Sequence, residues 1–195
     1  MAEIFRWHNE PAIWSGDARQ LSLKTDAKTD FWQETFYGFH RDSGHAYLRP
    51  VSGDFTGSAT IIGAYETLYD QAGLMLRLDE RNWIKCGIEY TDGMMHFSVV
   101  VTRGVSDWSV IPLPDMALSA PLFVRLTRHD AAVRVQFRLS GDAPWQMARL
   151  CPFFRGDAAF GVTACSPERG GFEATFSGIA VGPPISRALH DADHG

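Results

Sequence analysis

The 195-residue chain sets 18 Lys and Arg against 23 Asp and Glu, a formal net charge of −5. Its basic residues are scattered, so it lacks both the cation cluster that neutralises nucleic-acid phosphates and the polybasic run that meets an anionic membrane. The length suits one domain, expected over residues 1–182 with 183–195 as a C-terminal tail, and allows roughly 70% of the unfolded surface to be buried.

The first residues, Met1 to His8, lack the apolar run of a signal peptide, and no segment approaches the length of a membrane span. Neither Asn9 nor Asn82 stands in a glycosylation sequon. The three cysteines, Cys86, Cys151 and Cys165, show no metal-ligand spacing. An odd number of cysteines without a leader favours a reducing compartment, so cytoplasmic residence is expected.

In chain order, strands are expected over Leu21–Thr25, Phe31–Phe39, His45–Arg49 and Gly57–Tyr65. From Tyr69 the alternation sharpens. Ala72, Leu74, Leu76 and Leu78 share one face against Gln71, Gly73, Met75 and Arg77 on the other. Ile84, Cys86 and Ile88 then oppose Lys85, Gly87 and Glu89, and Phe97, Val99 and Val101 oppose His96, Ser98, Val100 and Thr102. Period-two patterning marks half-buried antiparallel strands with one face free to meet a ligand. Asp92-Gly93 between two of these runs is a tight-hairpin signal, because both central positions need positive φ.

Later strands are expected over Leu122–Arg128, Val133–Leu139, Trp145–Leu150, Ala158–Cys165 and Phe172–Val181. Val133, Val135, Phe137 and Leu139 form an inward set against Arg134, Gln136 and Arg138. Arg187 to His190 has room for one helical turn, and no long amphipathic helix is read. So many strands exceed a small barrel. The fold class is therefore all-β, two facing antiparallel sheets in a jelly-roll sandwich.

Several segments carry a resemblance: Lys28 to Phe39, Tyr69 to Met75, Trp83 to Glu89, Ser106 to Ser109 and Cys165 to Pro167. Together they resemble an uncharacterised family of the concanavalin A-like lectin/glucanase superfamily, one that includes the fungal regulation of enolase protein. The match runs from about Phe31 to Phe176. It implies a concanavalin A-like sandwich and a cytosolic role tied to sugar metabolism or to control of a metabolic enzyme. The family offers no catalytic residues to carry over, and Phe36 stands where its pattern has histidine.

Sugars present apolar C–H faces and ring hydroxyls, so a binding site needs rings beside polar groups. Trp32, Tyr37, Tyr69, Trp83 and Trp108 supply rings, and Gln71, Lys85, Glu89 and Asp107 supply polar contacts, with the site expected on one outer sheet face. Lys85 and Glu89 also fit a plain solvated ion pair. Gly73 and Gly87, outward in mid-strand, fit either close approach of a ligand or relief of crowding. Glycoside hydrolysis needs two carboxyls. The strand offers only Glu89, with Glu34 and Asp70 as candidates to approach it.

The histidines lack metal spacing, although His40 and His45 could meet at the base of one turn. No calcium loop, serine elbow or phosphate-cradling loop is present, and no cofactor is read. Cys151 and Cys165 have no base nearby in sequence to activate them. Three readings follow: a non-catalytic module binding a saccharide or sugar-derived metabolite, a protein-interaction regulator of a metabolic enzyme, and a glycosidase or lyase.

Overall fold

The computed structural model describes residues 4–189, and no helix occurs among them. The sandwich is built from two seven-stranded antiparallel sheets. Sheet A runs in the order β1 (Arg6–His8), β6 (His45–Val51), β15 (Ala158–Cys165), β8 (Gln71–Asp79), β9 (Asn82–Thr91), β10 (Met94–Arg103) and β11 (Val105–Pro112). Sheet B runs β14 (Gln146–Pro152), β13 (Ala132–Arg138), β12 (Leu122–His129), β7 (Phe55–Gly63), β16 (Glu173–Gly182), β3 (Gln20–Lys24) and β2 (Ile13–Gly16). A separate hairpin pairs β4 (Phe31–Gln33) with β5 (His40–Asp42).

The main core lies between the sheets and takes the inward sets read from the alternation. Phe97 of β10 stacks on Phe137 of β13 at 4.2 Å, which ties the two sheets face to face. Phe160 of β15 lies over Gly57 of β7, where a Cβ would come within 2.2 Å of its ring. Asp92 and Gly93 both take positive φ, as expected, and close the β9–β10 hairpin between the paired Thr91 and Met94. Leu139 departs from the inward set. It lies beyond the end of β13 and is exposed.

Phe31–Phe39 is not one strand. Glu34, Phe36 and Gly38 take positive φ, and the Glu34 amide donates to the Phe39 carbonyl, so the segment folds back as the β4–β5 flap. The flap lies on the outer face of sheet A and makes a second core there. Phe31 and Trp32 bury against Met75, Trp83, Val100 and Cys165, all outward residues of their strands. Arg77 clamps β5 to β8 through a bidentate pair to Asp42 at 2.9 and 3.0 Å. The outer face expected to lie open is therefore half covered.

The segment expected as a tail is held as far as it is described. Arg134 donates to the Ser186 and Ala188 carbonyls, and the Thr56 hydroxyl accepts from the Ile185 amide. Residues 187–189 form no helical turn, and His190, the rest of the tail and Met1 to Glu3 lie outside the described residues.

Candidate functional site

Sheet A carries its outward side chains in rows set by register. One row reads Cys165, Gln71, Glu89 and His96, the next Thr163, Gly73, Gly87 and Ser98, and a third Met75, Lys85, Val100 and Trp108. Gly73 and Gly87 face each other across β8 and β9. A Cβ on Gly87 would lie 2.4 Å from the Gly73 Cα and 2.2 Å from the Ala72 carbonyl oxygen. Crowding against the partner backbone thus accounts for the glycines. It also leaves the row bare between Thr163 and Ser98, where the Lys85 and Gln71 side chains reach across from either side and meet.

Lys85 is buried, 7% exposed, and its ammonium donates to Gln71 Oε1 at 2.6 Å, to the Phe31 carbonyl at 3.1 Å and to Asp30 Oδ1 at 3.4 Å. Those three bonds use all of its protons. Burial works against the charge, but Asp30, Cys165 and Glu89 outweigh it and hold the Lys85 pKa above its ordinary value. Lys85 and Glu89 are therefore no solvated pair. Lys85 is a strut pinning the flap to the sheet.

Glu89 is also buried, at 5% exposure. The Ser98 hydroxyl donates to Glu89 Oε2 at 2.6 Å, and the Trp108 indole N–H donates to Ser98 Oγ at 3.0 Å. Burial pushes the Glu89 carboxyl above the usual range, against the opposing pull of Lys85 and Ser98. Neither expected companion reaches it. Asp70 is buried in a pair with Arg169 at 2.6 Å, and Glu34 stands on the flap with Arg81 as its ion-pair partner.

Trp32, Tyr37, Tyr69, Gln71, Lys85, Glu89 and Trp108 all line one cleft of about 150 Å³, between the flap and the sheet. A dry cavity of about that volume holds one six-membered ring. Trp32 meets Trp108 edge-on at 6.4 Å and Tyr37 at 5.8 Å, and its indole N–H donates to the Thr35 carbonyl. The Tyr37 and Tyr69 hydroxyls lie 3.5 Å apart. That contact, then burial, pushes the Tyr69 phenol up to about 12.

Asp30, Phe39 and Glu168 line the same cleft and were not singled out from the sequence. Asp30 lies within the resembling segment, but nothing in its spacing marks it as the partner of Lys85. Phe36, at the flap tip, is 93% exposed and lies outside the cleft lining.

The family model described as "Protein of unknown function (DUF1349)" matches residues 7–184. The chain belongs to the DUF1349 family. It is 43% identical over 186 residues to Regulation of enolase protein 1 of Saccharomyces cerevisiae, covering 95% of this chain and 92% of the relative. A crystal structure of a functionally unknown S. cerevisiae protein superimposes with TM-score 0.88 at 40% identity, covering 93% of this chain and 97% of that one. The xylan beta-1,4-xylosidase of Bacillus halodurans shares the sandwich at TM-score 0.62 and 17% identity, over 87% of this chain and 37% of that one. This last likeness concerns the fold alone.

The cleft of this chain has one buried acid of raised pKa and no second carboxyl bonded to it. Among the described residues, no group of three His, Cys, Asp or Glu side chains is placed to hold a metal ion. His40 and His45 do not meet. His40 contacts Gln33 at 2.7 Å, while His45 Nε2 accepts from the Asp26 amide and its Nδ1 lies 2.7 Å from the Asn9 carbonyl. Burial pushes the Cys165 thiol up to about 12, despite the Lys85 charge beside it, and keeps it from acting as a nucleophile at neutral pH.

Proposed function

We propose that the flap cleft binds a saccharide or sugar-derived metabolite without transforming it, and that the protein is a regulatory binding module of the cytoplasm. The observation that carries this reading is the meeting of five rings with the Gln71 amide and Glu89 carboxyl in one ring-sized cleft. Gln71 Oε1 is taken by Lys85, so its amide N–H₂ can donate to a ligand oxygen, and Glu89 can accept from a hydroxyl. The name of the yeast relative, Regulation of enolase protein 1, supports a regulatory task. The three buried, unpaired cysteines suit a reducing compartment. The sandwich to residue 182 acts in this reading as one domain with a C-terminal extension.

Calorimetric titration with a panel of monosaccharides and their metabolites tests this. Binding weakened at least about tenfold by both Gln71→Ala and Trp108→Ala is the expected result. Binding unchanged in both variants removes the site.

A second reading is docking onto a metabolic enzyme. It is favoured by the flap tip, where Phe36 is 93% exposed beside the half-exposed Tyr37 at 5.1 Å. A stoichiometric partner lost on Phe36→Ser, with no small-molecule affinity, selects it over the first. A glycosidase or lyase needs a second group beside Glu89, and measured turnover of a glycan is the result that promotes it.

A further inference from the structure

We propose that the cleft selects a ligand bearing a protonated amine, an amino sugar or a similarly sized alkylammonium, over anionic sugar derivatives; this deepens the binding reading above and rests on it. Lys85 is the one cation among the cleft-lining residues, and it is spent. Its three protons go to Gln71, Phe31 and Asp30, and its charge is matched by the Asp30 carboxylate. An incoming carboxylate or phosphate therefore finds no free cationic donor among the residues that line the site.

Two acids remain once that pair is set aside. Glu168 stands exposed at the rim with no ion-pair partner among the described residues. Glu89 is 5% exposed, and the Ser98 hydroxyl donates to its Oε2, with the Trp108 indole also favouring the carboxylate form. A carboxylate desolvated to that degree is costly without a matching charge, and it lines a cleft whose walls are aromatic. Ring faces attract cations and offer nothing comparable to anions. An ammonium seated among Trp108, Tyr37 and Glu89 meets both demands, while the Gln71 N–H₂ donates to a neighbouring ligand oxygen.

The test is calorimetry at pH 7 with two matched series: glucosamine, glucose and glucuronate, and cyclohexylammonium against cyclohexanol. The amine in each series is expected to bind about tenfold tighter than its neutral counterpart, the scale of one charge-assisted hydrogen bond, with glucuronate weakest. Glu89→Gln, which keeps the shape and the Ser98 contact, is expected to abolish that preference. Equal binding of glucose and glucosamine, or a preference unchanged in Glu89→Gln, overturns the amine proposal and leaves the saccharide reading standing. Binding of cyclohexylammonium without any sugar, lost in Glu89→Gln, supports the amine site and overturns the saccharide reading. No binding in either series overturns both.

Discussion

Replacing Lys85 with methionine keeps its length and removes its charge, which isolates the strut. Three acceptors lose their donor: Gln71 Oε1, the Phe31 carbonyl and Asp30 Oδ1. Stripping one partner from a fully buried ion pair costs about 3–5 kcal/mol, mostly through the charge left unpaired. Here the Asp30 side chain keeps 16% of its exposure and still accepts from the Phe31 amide at 2.8 Å. That places the cost nearer about 2–3 kcal/mol. For a chain of this size the loss corresponds to a fall in Tm of about 4–12 °C. Thermal and urea denaturation of Lys85→Met, Asp30→Asn and the double variant measure it. The double variant should recover at least about 0.5 kcal/mol relative to the sum of the singles, because it leaves no orphan charge. A loss below about 1 kcal/mol in Lys85→Met, or strict additivity, refutes the strut.

Gly87→Ala forces β8 and β9 apart at their closest approach, and overpacking of that kind costs about 1–3 kcal/mol; a Tm equal to the parent's shows that the crowding is not real. Glu89→Gln should stabilise the chain at pH 7 by on the order of 1 kcal/mol. Its carboxyl titrates higher folded than unfolded, so the folded state holds the proton more tightly and stability falls as pH rises from the ordinary glutamate value through the folded pKa. The gain should accordingly shrink toward about pH 4, where both states are protonated; a gain constant with pH contradicts the linkage. The Cys165 thiol, at about 12, is ionised to only roughly one part in 10⁴ at pH 8. Ellman's reagent should therefore react with the native protein only on the timescale of unfolding, and rapid labelling of Cys165 contradicts its burial.

The period of β8, β9 and β10 was legible because alternation in a strand admits no drift. Placing Leu74, Ile84 and Phe97 inward necessarily put Gln71, Lys85 and Glu89 on the opposite face. The flap was not legible, since its fold-back depends on positive φ at Glu34 and Phe36, residue types that do not announce it. A signal was nonetheless present. Met75, Trp83 and Val100 are apolar on the side that should be wet, and a strand greasy on both faces is a covered strand. Asp30 could be matched to Lys85 only once the flap had been folded over the sheet. Edge strands such as β2, four residues long, are too short to show a period.

Sandwiched between two cores, β9 has eight of its ten residues buried from Trp83 to Glu89 and at Thr91. Most strands of a sandwich can exchange outward residues freely and so absorb neutral variation on alternate positions. This one has no such slack. Saturation mutagenesis along it should find intolerance at odd and even positions alike, and family members should diverge slowest there, whatever the cleft above it has come to hold.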